Sequence, residues 1–213
     1  MRIAPPLLLL FASGLLATGC ARKVASYGPS QETRLAVMDF LVPETMSDQR
    51  QLEGRMLNRR DQWGNPNLGY QVADALSRQL DRTPNVAMIP RVQLKYYFAD
   101  KKKLLEDSLG QLDDRRALVM LHDVPAASFG QQLGADYILR GRVDEAFTAR
   151  NRAIDHFWSR IGLSLELIDC ASGDTVWSGR TSQVRHWRSM TSTAEIAIAQ
   201  LIQNLDRQFL LLH

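Results

Sequence analysis

The stretch Gly134-Ala-Asp-Tyr-Ile-Leu-Arg-Gly-Arg-Val143 constrains this chain more than any other. Glycine just past an apolar helical pattern ends a helix, and the Tyr-Ile-Leu that follows starts a strand. The pattern predicts a helix ending near Gly134 and a strand over residues 136–147. Two further strands, 159–169 and 174–184, follow at hairpin spacing. In the first of these, Ile161, Leu163, Leu165 and Leu167 alternate with Gly162, Ser164, Glu166 and Ile168, the period of a half-buried antiparallel strand. The residues Asp169-Cys-Ala-Ser-Gly-Asp174 supply turn chemistry between them.

Upstream the pattern changes. Residues 35–42 form an almost continuous apolar run, so both faces of that strand should be covered. Asp39 interrupts it, and a carboxylate there is best accounted for by a hydrogen bond to a nearby turn. Val72, Leu76 and Leu80 repeat at four-residue spacing, with Ala73 and Ala75 alongside, and predict an amphipathic helix over residues 68–82. A short strand over 86–89 ends at Pro90. This β–α–β spacing predicts a right-handed parallel crossover. Residues 92–112 read as helix with a break near Ala99-Asp100. The run 118–121 fits either a short strand or a helical turn. Asp123 is the expected N-cap of a helix beginning at Val124-Pro125 that turns Phe129 and Leu133 inward. A last helix over 193–212 carries Ile196, Ile198, Leu201, Ile202, Leu205 and Phe209 on one side, and its polar side is poor enough in charge for a second molecule to cover. The fold class is therefore α/β: a single domain with a mixed sheet, an N-terminal βαβ unit, a C-terminal antiparallel three-strand meander and flanking helices.

The N-terminus carries an address rather than fold. One positive charge at Arg2 precedes an apolar run over 7–17, well short of the ~20 residues of a spanning helix. It closes in Ala17-Thr18-Gly19-Cys20, small residues before a cysteine. A lipoprotein signal peptidase needs this pattern, with cleavage between Gly19 and Cys20 and acylation of the Cys20 thiol. Two or three acyl chains at ~0.8 kcal/mol per buried CH₂ make an essentially permanent anchor. No aspartate follows Cys20, which directs the expectation to the outer membrane, on its periplasmic face. The organisation expected is a signal peptide over 1–19, a lipidated cysteine with a short tether over 20–33, and one domain over 34–213. From Cys20 to Arg34 the tether spans at most about 45–50 Å.

Without the leader, roughly 190 residues remain, enough for one domain with a sizeable core. The whole chain has a formal net charge of +3, too small for a polybasic footprint. Nucleic acid is excluded as a partner by the address and by the lack of basic residues interleaved with aromatics. With Cys20 acylated, Cys170 stands alone and is expected as a buried strand thiol.

No catalytic constellation appears. His122, His156, His186 and His213 lie on unrelated elements without metal-ligand spacing, although His156 and His186 would approach if their strands paired. Ser128 and Ser178 lack a nucleophile-elbow glycine pattern. Carboxylates are dispersed, and there is no phosphate loop. The chain is expected to be no enzyme, with no cofactor and no metal. The longest aperiodic stretch, 43–67, holds Arg55, Arg59, Arg60 and Trp63. A loop of that length is usually functional or mobile, and these four residues are the candidate contact for an acidic partner or for lipid phosphates.

Asp39-Phe40 at the end of the first strand, the stretch 133–143, and Leu167-Ile-Asp-Cys-Ala-Ser-Gly-Asp-Thr-Val-Trp-Ser178 together resemble an envelope lipoprotein superfamily. It includes the curli-secretion channel CsgG, the penicillin-binding-protein activator LpoB and the N-terminal domain of TolB. The resemblance runs from about Arg34 to the C-terminus, and its motifs are structural: they specify fold better than function. It implies an outer-membrane-anchored periplasmic accessory that binds an envelope protein in assembly or cell-wall maintenance, as penicillin-binding-protein activators do. The alternative it implies is an oligomeric scaffold or a secretion-associated component. The channel inserts two membrane hairpins, and each spanning strand needs ~9–11 residues. Here the connections at 148–158 and 181–193 are too short and too polar, so a pore of that kind is not expected.

Overall fold

The computed structural model describes residues 32–43, 59–61, 66–151 and 155–207. The signal segment, Cys20, most of the tether, Arg55, Trp63, Phe209 and His213 lie outside the described residues. Strands β1 (Thr33–Val37) and β2 (Arg59–Asp61) are followed by helix α1 (Pro66–Leu80) and β3 (Val86–Met88). Three helices then run in succession, α2 (Arg91–Leu109), α3 (Asp114–His122) and α4 (Ala126–Leu133). The chain closes with β4 (Tyr137–Asn151), β5 (His156–Asp169), β6 (Thr175–His186) and α5 (Met190–Leu205).

One mixed sheet has the order β3-β1-β4-β5-β6, with β2 added alongside the far half of β4. β1 lies parallel to β3, Arg34 opposite Ala87, and parallel to β4, Ala36 opposite Ile138. β4, β5 and β6 form the expected antiparallel meander. The α/β class, the βαβ unit and the three-strand close all match the sequence reading.

Helices cover the two faces unequally. α1 and α5 lie on one face, where Val72, Leu76, Ala197, Ile198 and Leu201 pack against Leu139, Val143, Leu163, Leu165 and Leu167. α2 and α4 cover the other face only near β1 and the start of β4, where Leu94, Tyr97 and Phe129 meet Ala36, Met38, Ile138 and Ile168. α5 spends its apolar side on its own sheet; Ile196 is only partly buried.

The central motif now has a physical account. Gly134 ends α4 at φ 64°, a left-handed conformation that a Cβ disfavours. Asp136 then ties three elements together. Its carboxylate accepts from the Arg34 N–H at 2.8 Å, its own N–H donates to the Arg34 carbonyl at 2.8 Å, and its carbonyl accepts from the Cys170 N–H at 2.9 Å. Gly141 is required by close approach: a Cβ there would stand 2.3 Å from the Phe40 ring. The expected first strand is broken at that same place. After Met38, whose N–H still donates to the Leu139 carbonyl at 3.0 Å, the backbone swings out so that the Phe40 N–H reaches the Gly69 carbonyl at 3.3 Å, and it rejoins β4 at Leu41. Phe40 thereby drops into the space Gly141 leaves.

Other expectations are corrected. α2 is continuous through Ala99-Asp100, since neither residue breaks a helix and Lys102 and Glu106 pair across one turn at 3.6 Å. Of the two readings of residues 118–121 the helical one holds: they belong to α3, which Asp113 caps by accepting from the Arg116 N–H at 2.8 Å. Asp123 is not an N-cap: it closes α3, its N–H reaching the Met120 carbonyl at 3.2 Å, and α4 starts behind Pro125 without a side-chain cap. α5 begins earlier than expected, at Met190, because Ser189 accepts from the Ser192 N–H at 3.2 Å. The connection expected over 148–158 is strand at both ends, paired as far as Asn151 opposite His156. Within the aperiodic stretch, Arg59–Asp61 is a strand, which occupies the edge of β4 beyond the reach of β1.

Candidate functional site

The described helices leave one face of β4-β5-β6 uncovered from Arg140 onward along β4. Direct cross-strand pairing sets its rows, since residues opposite each other in a ladder share a face. Across β4, β5 and β6 these rows are Arg140-Glu166-Ser178, Arg142-Ser164-Arg180, Glu145-Gly162-Ser182, Phe147-Arg160-Val184 and Ala149-Trp158-His186; the last two are not open at β4, where Phe147 and Ala149 are buried. The opposite rows, such as Leu139-Leu167-Trp177, go under α5.

A β-bulge sharpens the pattern. Val143 pairs with Leu163 and Glu145 with Gly162, which leaves Asp144 as an extra residue in β4. In a regular strand Asp144 and Glu145 would point to opposite faces; the bulge turns both onto the open one. Asp144 Oδ1 accepts from Ser164 Oγ at 3.1 Å, and its Oδ2 forms an ion pair with Arg180 Nε at 3.0 Å. Glu145 Oε1 accepts from Arg160 Nε at 2.7 Å and from Ser182 Oγ at 2.9 Å. Each acid thus pairs with one arginine, Glu145 with Arg160 of β5 and Asp144 with Arg180 of β6. An open polar groove of about 800 Å³ results, bounded by Leu41, His122 and Arg140 at one end and by Glu145, Gly162 and Ser182 at the other. Arg142 is exposed on its rim and makes no ion pair among the described residues.

The inner end of the groove is more rigid. Arg140 donates to the Val124 carbonyl, and its guanidinium lies 6.0 Å from the Phe129 ring centre. Burial pulls its pKa down, opposed by Glu166 and Asp123, and its Nε is buried without a partner among the described residues. His122 Nε2 sits 2.8 Å from the Asp39 carbonyl oxygen, and burial holds its pKa below the ordinary 6.5. Asp39 takes its carboxylate contact from Arg91, whose other terminal nitrogen donates to the Val37 carbonyl at 2.7 Å. The partner of Asp39 is thus the first residue of α2 and not, as expected, a nearby turn.

The candidate residues from the sequence are placed as follows. Arg59 and Arg60 lie on β2, in register with Ala149 and Thr148, at the far end of the same sheet. Gly19, Cys20, Arg55 and Trp63 are outside the described residues. His156 and His186 do approach, His156 Nε2 standing 2.6 Å from His186 Nδ1. No group of three or more metal-ligating side chains occurs among the described residues. Cys170 is buried and free, and burial, then Asp169 and Asp136, push its thiol up to about 11. It stays protonated at neutral pH and is a poor nucleophile. Sequence reasoning missed the groove. Its signal was the polar half of each alternating strand, but only the pairing register joins those halves into rows.

A comparison with curated proteins finds no match. Among solved structures, the chain is similar to lipoprotein GNA1162 from Neisseria meningitidis, at 14% identity and TM-score 0.48, covering 82% of this chain and 99% of that one. It is similar to the PelC dodecamer from Paraburkholderia phytofirmans, at 16% identity and TM-score 0.48, covering 82% and 87%. It is also similar to the LpoB C-terminal domain from Escherichia coli, at 15% identity and TM-score 0.37, covering 75% and 88%. The family model described as peptidoglycan-synthase activator LpoB matches residues 71–182, just over half of the 213 residues. That match bears on the activator member of the resemblance drawn from the sequence, and not on its channel or TolB members. The chain belongs to the LpoB family of peptidoglycan-synthase activators.

Proposed function

We propose that this chain is an outer-membrane-anchored periplasmic lipoprotein that activates a peptidoglycan synthase by binding it, and performs no chemistry itself. In this reading residues 1–19 are removed, Cys20 carries the lipid, residues 20–33 are the tether, and 34–213 are the binding domain. The family match carries the proposal: residues 71–182 run from α1 into β6 and take in nearly all of the groove. The absence of a catalytic constellation in the sequence is consistent with it. The partner contact is the open face of β4-β5-β6, and Arg55, Arg59, Arg60 and Trp63 are the candidate residues for a second contact with the same partner. A tether of about 45–50 Å keeps this face close to the outer membrane, so the synthase must present an element there.

The test is reconstitution of the full-length chain in detergent with a purified bifunctional peptidoglycan synthase, following the rate of glycan polymerisation. The wild-type chain should raise the rate and Arg142→Glu should lose most of that rise. A chain that neither binds the synthase nor changes its rate would overturn the reading.

A further inference from the structure

We infer that His156 and His186 form a two-imidazole site for a divalent first-row transition-metal ion, with Cu²⁺ bound most tightly. This goes beyond the activator reading and does not depend on it. The two histidines are thirty residues apart and sit on adjacent strands, yet their ring nitrogens converge to 2.6 Å, with ring centres 4.8 Å apart.

Two backbone features hold them there. Trp187 has φ 59° and Asp155 φ 47°, left-handed conformations that are rare for such residues. Both flank the pair, at the end of β6 and the start of β5. The Trp187 N–H donates to the Phe157 carbonyl at 2.9 Å, which locks the end of β6 against β5. The Trp158 and Trp187 rings pack on His156 at 5.7 and 5.3 Å, shielding it from two sides. Arg150, the nearest cation on β4, is occupied by Asp155, its Nε donating at 3.0 Å. His186 is exposed, so an ion and its waters can enter.

Distance decides which ions fit. Metal–imidazole bonds of about 2.0 Å put two cis nitrogens about 2.9 Å apart in a square plane and about 3.3 Å apart in a tetrahedron. The observed 2.6 Å is a hydrogen-bonded pair, and opening by a few tenths of an ångström reaches the square-planar value. A tetrahedral ion needs about twice that movement. The geometric preference therefore runs the same way as the intrinsic order, in which Cu²⁺ exceeds Ni²⁺ and Zn²⁺. With both rings neutral, binding requires only that the proton between them move to the outer nitrogen of the donating ring, so no net proton is released. Water, or a side chain from a docked protein, completes the coordination.

The experiment is a Cu²⁺ titration of the full-length chain in detergent, read by nitrogen hyperfine structure in the electron spin resonance spectrum and by quenching of tryptophan fluorescence. One saturable equivalent with imidazole nitrogen coupling is expected. His156→Gln and His186→Gln should each weaken it at least tenfold. His122→Gln, whose ring is engaged at Asp39, should leave it unchanged. Folding of each variant is checked by its circular dichroism. Unchanged affinity in both His156→Gln and His186→Gln, or the lack of any saturable nitrogen-coordinated site, would overturn the assignment. Neither result bears on synthase activation, which is measured without metal.

Discussion

Ala36 of β1 and Glu166 of β5 stand two strands apart on the same face of one sheet and meet opposite environments. Ala36, with Met38 just beyond it, is sealed under α2 and α4 and is completely buried. Glu166 faces solvent, and no described helix covers it. The parallel half of the sheet spends both faces on the core, so nearly every side chain there is committed to packing. The meander spends one face on α1 and α5 and keeps the other for polar rows. The difference shows where this fold can vary without collapse: substitutions in the open rows cost little stability and are free to serve recognition.

Met38→Ala is the largest expected break in this comparison. It removes a fully buried side chain from the doubly covered half and should cost about 2–5 kcal/mol in denaturant unfolding. Gly141→Val comes next, at about 1–3 kcal/mol, because its Cβ would enter the Phe40 ring and force the Leu41 junction apart. A loss much below this in the same assay would mean that Phe40 has somewhere else to go.

The border between the two halves should respond to acid. Burial keeps His122 neutral below its ordinary 6.5, with the charge of Arg140 adding to the effect. The unfolded chain takes up that proton first. Stability from this group is therefore complete above 6.5 and is lost as the pH falls through the lowered folded value. His122→Gln, which can keep a hydrogen bond to the Asp39 carbonyl, should flatten this part of a stability–pH curve. An unchanged acid slope would place the titrating group elsewhere. Cys170 offers a chemical version of the same contrast. With its thiol pushed up to about 11, it should react with a thiol reagent at neutral pH only when the chain is unfolded. The smallest effect belongs to the open rows: Glu166→Ala should change unfolding stability by no more than about 0.5 kcal/mol.

Much of this contrast was legible in the residues. The near-continuous apolar run at 35–42 signalled a strand covered on both faces, and the alternation from Ile161 to Leu167 signalled one covered on a single face. Gly134 marked the helix stop by the conformation it adopts. What failed to show depends on tertiary geometry. β2 is Arg-Arg-Asp, with no apolar period, and exists because β4 offers it an unpaired edge. The Asp144 bulge has no local signature, yet it moves Asp144 and Glu145 to one face and so builds the groove. Asp123 looked like a cap because it precedes Val-Pro, but α3 had already claimed it. The approach of His156 and His186 followed from strand pairing, while the 2.6 Å convergence of their nitrogens required the register and the turn at Trp187.

The most direct test of the central claim measures equilibrium binding of a purified peptidoglycan synthase to variants in the open rows and on the helix that covers the rest of that face. Arg142→Glu and Arg180→Glu alter the open rows, and Tyr96→Glu alters the exposed side of α2, where Tyr96 is 70% exposed. The account predicts at least a tenfold loss of affinity for the two arginine variants and none for Tyr96→Glu. Wild-type affinity in both arginine variants, or a loss confined to Tyr96→Glu, would contradict it.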